Sequence, residues 1–153
     1  MRIWIDADAC PRDILEVLVR TAERRGLDLV RVANRPLGAL RATGVRDVVV
    51  GAGFDAADRH IAENVEPGDV VITADVPLAA AIVARGALGL SPRGEEFDAD
   101  NVGTKLAHRD LMTELRSAGA ITGGPAPLAT ADRRRFADAL DRMLTRIARE
   151  RRA

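Results

Sequence analysis

The sequence predicts a single α/β domain in which a mainly parallel central sheet of about five strands is flanked by helices in three layers. Short apolar runs alternate along the chain with segments of helical periodicity. The runs are continuously apolar, which is typical of strands buried on both faces of a parallel sheet. A length of 153 residues suits one domain. We therefore expect one domain over 1–153, with a C-terminal helical extension over about 104–150.

The first half of the chain contains three predicted strands and two predicted helices. In order, these are a strand at Arg2–Asp6, a helix from Pro11 closed by Gly26, strands at Leu27–Val32 and Val45–Val50, and a helix at Asp55–Glu63. The segment 34–44 is rich in glycine and proline. We expect a loop there, with one helical turn around Leu37–Arg41.

The second half continues the alternation and then becomes helical. Its predicted elements are a strand at Val70–Thr73, a helix at Pro77–Arg85, a strand at Ala87–Leu90, a helix at Leu106–Ser117 and a last helix capped by Thr130 and running to about Glu150. Ser91–Asn101 is predicted to be a polar loop, long enough to have a function.

The composition indicates which class of protein this is and in which cellular compartment we expect it. The chain is 47% hydrophobic and 30% charged, as folded domains are. No apolar stretch approaches the about 20 residues that span a bilayer, so we expect no membrane span. The amino terminus shows no secretion signal and Cys10 is the single cysteine, which favours the cytoplasm. We interpret Cys10 as a small residue entering a helix rather than a nucleophile, which would need His60 or His108 as its base.

Charge is unevenly distributed although the formal net charge is zero. From Ala131 onward the sequence contains eight arginines and four acids, which gives a net charge of +4 there and −4 in the rest of the chain. Two interpretations stay open for these arginines. They form either a solvated helix face or a surface that contacts nucleic acid.

Aspartates follow three of the predicted strands. Asp6 and Asp8 come after the first strand, Asp55 and Asp58 after the third, and Asp75 after the fourth. Ligands of open parallel sheets bind outside the carboxyl ends of the strands, where the strand order reverses. We therefore expect these acids to converge at one edge of the sheet.

Each acid also has a structural interpretation. Asp55 would serve as a helix N-cap, and Asp58 would be an acid favoured in a first helical turn. Asp75 is expected to lie just outside its helix without a capping role, because Pro77 suits the first helical position and Val76 the cap. Asp6 ends an apolar strand, where a charge approaching burial needs a partner.

A cluster of carboxylates is tolerated when a cation neutralises it or protons are retained. Oxygen ligands without a supporting set of cysteines and histidines select Mg²⁺ or Mn²⁺, and phosphodiester hydrolysis is the chemistry most often found at such sites. We predict metal ligands at Asp6, Asp55, Asp58 and Asp75, and catalytic roles for Asp6, Asp8 and Asp75.

Five segments together resemble a known bacterial family. They are Ile5-Asp6-Ala7-Asp8-Ala9-Cys10-Pro11, Asp55-Ala56-Ala57-Asp58, the stretch from Gly68 to Ala79 with Thr73-Ala74-Asp75, Pro92-Arg93-Gly94-Glu95, and Gly123-Gly124-Pro125 with Asp132-Arg133. In this order, over nearly the whole chain, they resemble the uncharacterised YaiI/YqxD family. That family is in turn similar to the PIN-like nuclease superfamily, so the resemblance implies a PIN-like fold.

The resemblance also implies a metal-dependent site like that of a ribonuclease, with RNA as the partner. Asp6 matches the aspartate that ends the first strand in the superfamily, and Thr73-Ala74-Asp75 matches its Thr-x-Asp motif. The acids in the middle of the domain are matched by Asp55 and Asp58. Asp8, Arg93 and Asn101 belong to the family's own pattern. Phe97 and Leu128 are apolar exchanges for the tyrosine and phenylalanine expected there.

Roles in substrate binding follow from this assignment. We expect Thr73, Arg93, Asn101 and Lys105 to contact the substrate, with Arg93 and Lys105 on its phosphates.

Two other functions stay open. Asp6-x-Asp8 after an apolar strand also resembles a phosphatase with an aspartyl nucleophile, with Thr73 and Lys105 imitating its next motifs. The late strand ending in paired acids, which such a phosphatase requires, is missing. The remaining alternative is a non-catalytic protein that binds nucleic acid or regulates a partner.

Overall fold

The computed structural model describes residues 1–40, 42–53, 55–124 and 126–153. Arg41, at the end of the predicted turn at 37–41, and Pro125, in the late Gly-Gly-Pro motif, lie outside the described residues, as does Phe54. The strands are β1 (Arg2–Asp6), β2 (Asp28–Ala33), β3 (Val45–Val49), β4 (Val70–Ile72), β5 (Leu88–Leu90) and β6 (Glu96–Phe97). The helices are α1 (Arg12–Arg25), α2 (Ala56–Asn64), α3 (Val76–Val83), α4 (Val102–Ser117) and α5 (Thr130–Arg152), with a short 3₁₀ helix at Ala7–Ala9.

The strands form one mostly parallel sheet in the order β3-β2-β1-β4-β5-β6. All neighbours from β3 to β5 pair in parallel, whereas β5 and β6 are antiparallel. This arrangement confirms the predicted α/β class with a mainly parallel sheet. The chain first builds outward from β1 to β3 and then crosses back to β4 on the other side of β1, so the strand order reverses between β1 and β4.

Strands β1, β2 and β4 are covered on both faces, as the continuously apolar runs predict, whereas the edge strand β3 is largely exposed. On β1, Ile3 and Ile5 point to one face and Trp4 to the other, because successive side chains of a strand alternate. The Ile3 face packs against α1 and α5, and the Trp4 face packs against α2 and α3. The core on the α5 side includes Phe136, Ala139, Leu140, Met143, Leu144 and Ile147.

Helix boundaries agree with the sequence patterns at some ends and differ at others. Gly26 ends α1 in the left-handed conformation, at a φ of 66°, as its position predicts. The prediction that Thr130 caps the last helix is wrong, because Ala129 is the N-cap residue. The carboxylate of Asp132 accepts the backbone N–H of Ala129 at 2.9 Å, so this acid replaces the expected hydroxyl. No helical turn forms over 37–40.

The predicted polar loop at Ser91–Asn101 contains the short strand β6, which folds back against β5. Phe97 of β6 is buried. At Gly94 the φ is +86°, and a Cβ there would lie 2.9 Å from the backbone carbonyl of Arg135 in α5. The loop therefore packs backbone to backbone on α5, and a glycine is required at the contact.

Helix α4 differs from the other helices in its environment. It begins at Val102, earlier than the predicted Leu106, and lies against α3, yet none of its residues is buried. Leu111 is 52% exposed. Among the described residues, no helix is long and apolar enough to cross a membrane.

Candidate functional site

Two of the predicted acids lie on either side of the point where the strand order reverses. Asp6 is the last residue of β1, and Asp75 follows β4, which pairs directly with β1. Crevices outside the carboxyl ends of parallel strands at such a reversal are the usual ligand sites of open α/β sheets. The topology therefore brings these two aspartates to one edge of the sheet.

Helix α2 brings Asp55 and Asp58, the acids that follow β3, back toward β1. Strand β3 lies at the edge of the sheet, two strands away from β1, but the chain must cross from β3 to β4. Along this crossing Ala57 and Ile61 of α2 pack into the core beside Trp4 and Val30. Asp58, on the first turn of α2, is thereby brought to the same cavity as Asp6, the last residue of β1.

Four of the five acids share one cavity. A cavity of about 540 Å³ is lined by Asp6, Asp8, Asp55 and Asp58, together with Asn34 and residues of the loop after β3. Asp75 does not line this cavity, but its charge acts on both Asp6 and Asp58. We call Asp6, Asp8, Asp55, Asp58 and Asp75 the acid cluster.

The electrostatics of the acid cluster show how closely its members are placed. Asp6 is only 8% exposed, and burial raises its pKa from 3.8 to about 6, with further contributions from the negative charges of Asp58, Asp8 and Asp75. The backbone N–H of Asp8 donates to Asp6 and acts in the opposite direction on this pKa. Burial also raises the pKa of Asp58, and the charges of Asp75, Asp55 and Asp8 add to that increase. Carboxylates from three separate loops therefore repel one another.

The carboxylates of the acid cluster are not arranged as a metal-binding set. Within the part of the chain that the structure describes, no group of three or more Asp, Glu, His or Cys side chains is arranged to hold a metal ion.

Asp75 has the capping role that the sequence pattern did not predict. It is the N-cap of α3, and its Oδ1 accepts the backbone N–H of Leu78 at 2.9 Å. The expectation that Val76 would cap the helix is wrong, because Val76 is its first residue and Pro77 its second. Thr73 is buried, and its Oγ1 accepts the backbone N–H of Asp75 at 3.0 Å. Thr73 thus positions Asp75.

Asp55 stands at the N-cap position of α2 but makes no capping hydrogen bond with its side chain. Its backbone is left-handed, with a φ of 58°, and it is the one residue other than glycine with a positive φ among those described. Such a conformation costs a non-glycine residue about 1–2 kcal/mol, and aspartate tolerates it better than most. The exposed carboxylate is therefore not engaged in holding the helix.

Asp8 lies on the 3₁₀ helix after β1 and faces the loop after β2. Its Oδ2 accepts the backbone N–H of Asn34 at 3.4 Å, and its Oδ1 lies 3.8 Å from Nε of Arg35. The Arg35 side chain is 81% exposed, so this ion pair contributes little to stability. Arg35 nevertheless places a positive charge at the rim of the acid cluster.

The predicted substrate-binding residues other than Thr73 are engaged elsewhere. Arg93 pairs with the buried Asp132 at 3.3 Å and donates to the carbonyl of Ala126. Asn101 donates to the carbonyl of Glu96 at 2.9 Å and accepts the backbone N–H of Asp98, which holds the hairpin of β5 and β6. None of Thr73, Arg93 and Asn101 lines the cavity of the acid cluster.

Lys105 lies on α4, where it pairs with Glu95 and stands 5.6 Å from the ring centre of Phe97. It lines a different cavity from the acid cluster.

Cys10 is unsuited to nucleophilic chemistry. Burial raises the pKa of its thiol to about 12, and the nearby negative charge of Asp6 acts in the same direction. The thiol makes a weak contact of 3.6 Å with the carbonyl of Pro11. These observations support the interpretation of Cys10 as a structural residue at the entry to α1.

Asn34 lines the cavity of the acid cluster but was absent from the predicted site. A signal for it existed in the sequence, since Asn34 directly follows β2, whose carboxyl end lies at the same edge as those of β1 and β3. The predicted acids came from the first, third and fourth strands only, so the polar residue after the second strand was overlooked.

Comparison with known proteins gives consistent results along the whole chain. A family model described as "Uncharacterized BCR, YaiI/YqxD family" matches residues 4–146. A "UPF0178 protein" of Trichlorobacter lovleyi is 55% identical over 150 residues, which cover 98% of this chain and 97% of that protein. A protein of the same name from Geobacter metallireducens is 53% identical, with the same coverage of both chains. One from Shewanella sp. (strain ANA-3) is 51% identical over 146 residues, or 95% of this chain and 97% of that one. No solved structure matches the chain.

Proposed function

The chain belongs to the YaiI/YqxD family, as its sequence predicts, and from this premise we propose that it is a nuclease dependent on a divalent metal ion and acting on RNA. The observation that carries the proposal is the convergence of carboxylates from three loops at the reversal of the strand order. Asp6 is buried at this point, and Asp58, Asp8 and Asp75 all act on its charge. Proteins maintain mutually repelling carboxylates chiefly where they bind cations or move protons.

The donor chemistry of the acid cluster suits Mg²⁺ or Mn²⁺. All candidate ligands are carboxylate oxygens, which hard divalent cations prefer. Cys10 does not line the cavity of the acid cluster, so it adds no soft ligand that would favour zinc. We propose Asp6, Asp55, Asp58 and Asp75 as direct or water-mediated ligands, although a bound ion would have to draw them closer together.

When bound, the metal would polarise the scissile phosphate and lower the pKa of a water molecule. The chain's own residues would orient the carboxylate of Asp75 and accept a proton from water. The buried Thr73 hydroxyl fixes the backbone of Asp75, and the cap to Leu78 fixes one of its carboxylate oxygens, so Oδ2 of Asp75 is the oxygen left to face a ligand. Exposed Asp8 would accept the proton of an attacking water at a carboxylate oxygen.

Cleavage of a labelled single-stranded RNA with Mn²⁺ tests the proposal. Asp75→Asn is the sharpest variant, because asparagine is an equally good N-cap and preserves the bond to Leu78 while it removes the charge. We expect the cleavage rate to fall at least about a hundredfold, as for the loss of one group that stabilises charge in a transition state. The matched control is Asp138→Asn, because Asp138 is an exposed acid of α5 that does not line the cavity of the acid cluster.

Each result of this experiment separates the hypotheses. Cleavage that is unchanged in Asp75→Asn contradicts the proposed site. RNA that is bound but never cleaved, with or without Mn²⁺, supports the non-catalytic alternative. A phosphoryl group trapped on Asp6 with a small phosphoester would support the phosphatase alternative instead.

A further inference from the structure

A second cavity begins next to the acid cluster and runs along α4. It measures about 750 Å³ and is lined by Val76, the residue that directly follows Asp75, and by one face of α4. The α4 residues Lys105, His108, Arg109, Met112 and Arg116 recur at spacings of three and four, so they share this face. We call this cavity the α4 groove. One end of the α4 groove therefore lies beside Asp75, the member of the acid cluster at the start of α3.

The α4 groove is positively charged. Lys105, Arg109 and Arg116 line it, whereas Glu95 is the only acid that does so among the described residues. Glu95 pairs with Lys105, and Arg109 pairs with the adjacent exposed Asp110 at 3.1 Å. Exposed pairs of this kind contribute about 0–1 kcal/mol, so a polyanion would displace them readily.

Helix α4 is not used by the core. It buries none of its residues, in contrast to α5, which buries a full apolar face. Met112 and Val76 lie among the cations of the α4 groove and offer apolar surface between the charges. Proteins that bind single strands combine a positively charged groove along the backbone with side chains, usually aromatic, that contact the bases, and Met112 and Val76 are the residues placed for such contacts here.

We propose that the α4 groove binds the sugar-phosphate backbone of a single-stranded nucleic acid and leads it to the acid cluster. This inference rests on the proposed nuclease function, because the carboxylates of the acid cluster alone would repel a phosphate chain. The apolar surface of Met112 and Val76 between the cations favours a single strand, because its unpaired bases are free to contact side chains.

The arginines of α5 supply a matched control. Arg142 and Arg149 are exposed, as Arg109 and Arg116 are, and each pair lies on one helix. Arg142 and Arg149 line a separate cavity on α5, which packs on the other face of the sheet. Replacing either pair with alanine removes the same charge from a helix surface, so only location differs.

The test measures binding without cleavage. A fluorescent single-stranded RNA of about 10 nucleotides is titrated with protein in EDTA, and anisotropy gives Kd at several salt concentrations. For Arg109→Ala/Arg116→Ala we expect Kd to rise roughly tenfold at low salt, and the slope of log Kd against log salt to fall by about 1.4, which corresponds to two lost phosphate contacts. For Arg142→Ala/Arg149→Ala we expect less than about a twofold change and an unchanged slope.

Equal weakening by the two double variants would overturn the α4 groove as the binding surface, as would tighter binding of a duplex than of the single strand. Failure of the nuclease proposal gives a different result. In that case wild-type protein does not cleave with Mn²⁺, while its binding still depends on Arg109 and Arg116. If Asp75→Asn loses cleavage while Arg109→Ala/Arg116→Ala binds RNA with the Kd of the wild type, the proposal for the α4 groove is overturned and the nuclease proposal stands.

Discussion

Replacing Asp6 with asparagine should stabilise the metal-free protein above neutral pH. The pKa of Asp6 rises from 3.8 to about 6 on folding, so the folded state holds a proton that the unfolded state has already released. At about 1.36 kcal/mol per pH unit, ionised Asp6 destabilises the fold by up to about 3 kcal/mol. We expect about 2 kcal/mol in practice, because the carboxylate borders an open cavity where water screens it.

The sign of this effect fixes its pH dependence. Below about pH 3.8 Asp6 is protonated in both states, so the wild type and Asp6→Asn should have similar free energies of unfolding. As the pH rises from about 3.8 to about 6 the wild type loses stability, whereas the variant has no charge to acquire at this position. The advantage of the variant should therefore grow between these values and then remain constant.

Urea unfolding followed by circular dichroism in EDTA, at intervals between about pH 4 and pH 8, measures this difference. Asp69→Asn is the control, because Asp69 is also buried but accepts the backbone N–H groups of Arg2 and Glu66 and the indole N–H of Trp4. That variant should be destabilised by about 1–3 kcal/mol. An Asp6→Asn protein that is less stable than the wild type at pH 8, or a difference that does not vary with pH, would refute the reasoning.

Three further predictions follow from local geometry. Asp75→Ala should lower the free energy of unfolding by about 1 kcal/mol through loss of the cap to Leu78, while Asp75→Asn stays close to the wild type; equal losses in urea unfolding would contradict the capping role. Native Cys10 should react with iodoacetamide near pH 9 about 500-fold more slowly than in urea, because its pKa is raised from 9.0 to about 12; rapid labelling of native protein would disprove its burial. Gly94→Ala should destabilise the fold by about 1–3 kcal/mol, because its φ of +86° and its contact with the Arg135 backbone both exclude a side chain; an unchanged melting temperature would count against that contact.

The acid cluster was predictable as a set of residues but not as a geometry. Asp6 and Asp75 follow apolar strands, and strands of a parallel sheet end at one edge, so the pattern places both acids at that edge, while the strand order decides that they are neighbours. The capping role of Asp75 did not follow, because Pro77 is accommodated at either of the first two helical positions and a shift of one residue decides which side chain meets the free N–H groups.

Contacts between distant segments were the least predictable part of the site. Arg93 was expected to bind phosphate, yet it pairs with Asp132 across 39 positions of sequence. Nothing local to Arg93 indicates that partner, since the pairing depends on how α5 packs against the hairpin of β5 and β6. The same holds for the α4 groove, which exists only because α4 lies beside the first residue of α3.

The sequence by itself determined the class of fold, the family and the identity of the acids at the edge of the sheet. These depend on apolar periodicity and on residue types at fixed positions relative to strand ends, both of which are local properties of the chain. Only the tertiary structure decided the strand order that places β4 beside β1, the burial that raises the pKa of Asp6, and the choice of partner for each arginine. Electrostatic interactions depend on distance through space and on access to water, and neither quantity is encoded by position along the chain.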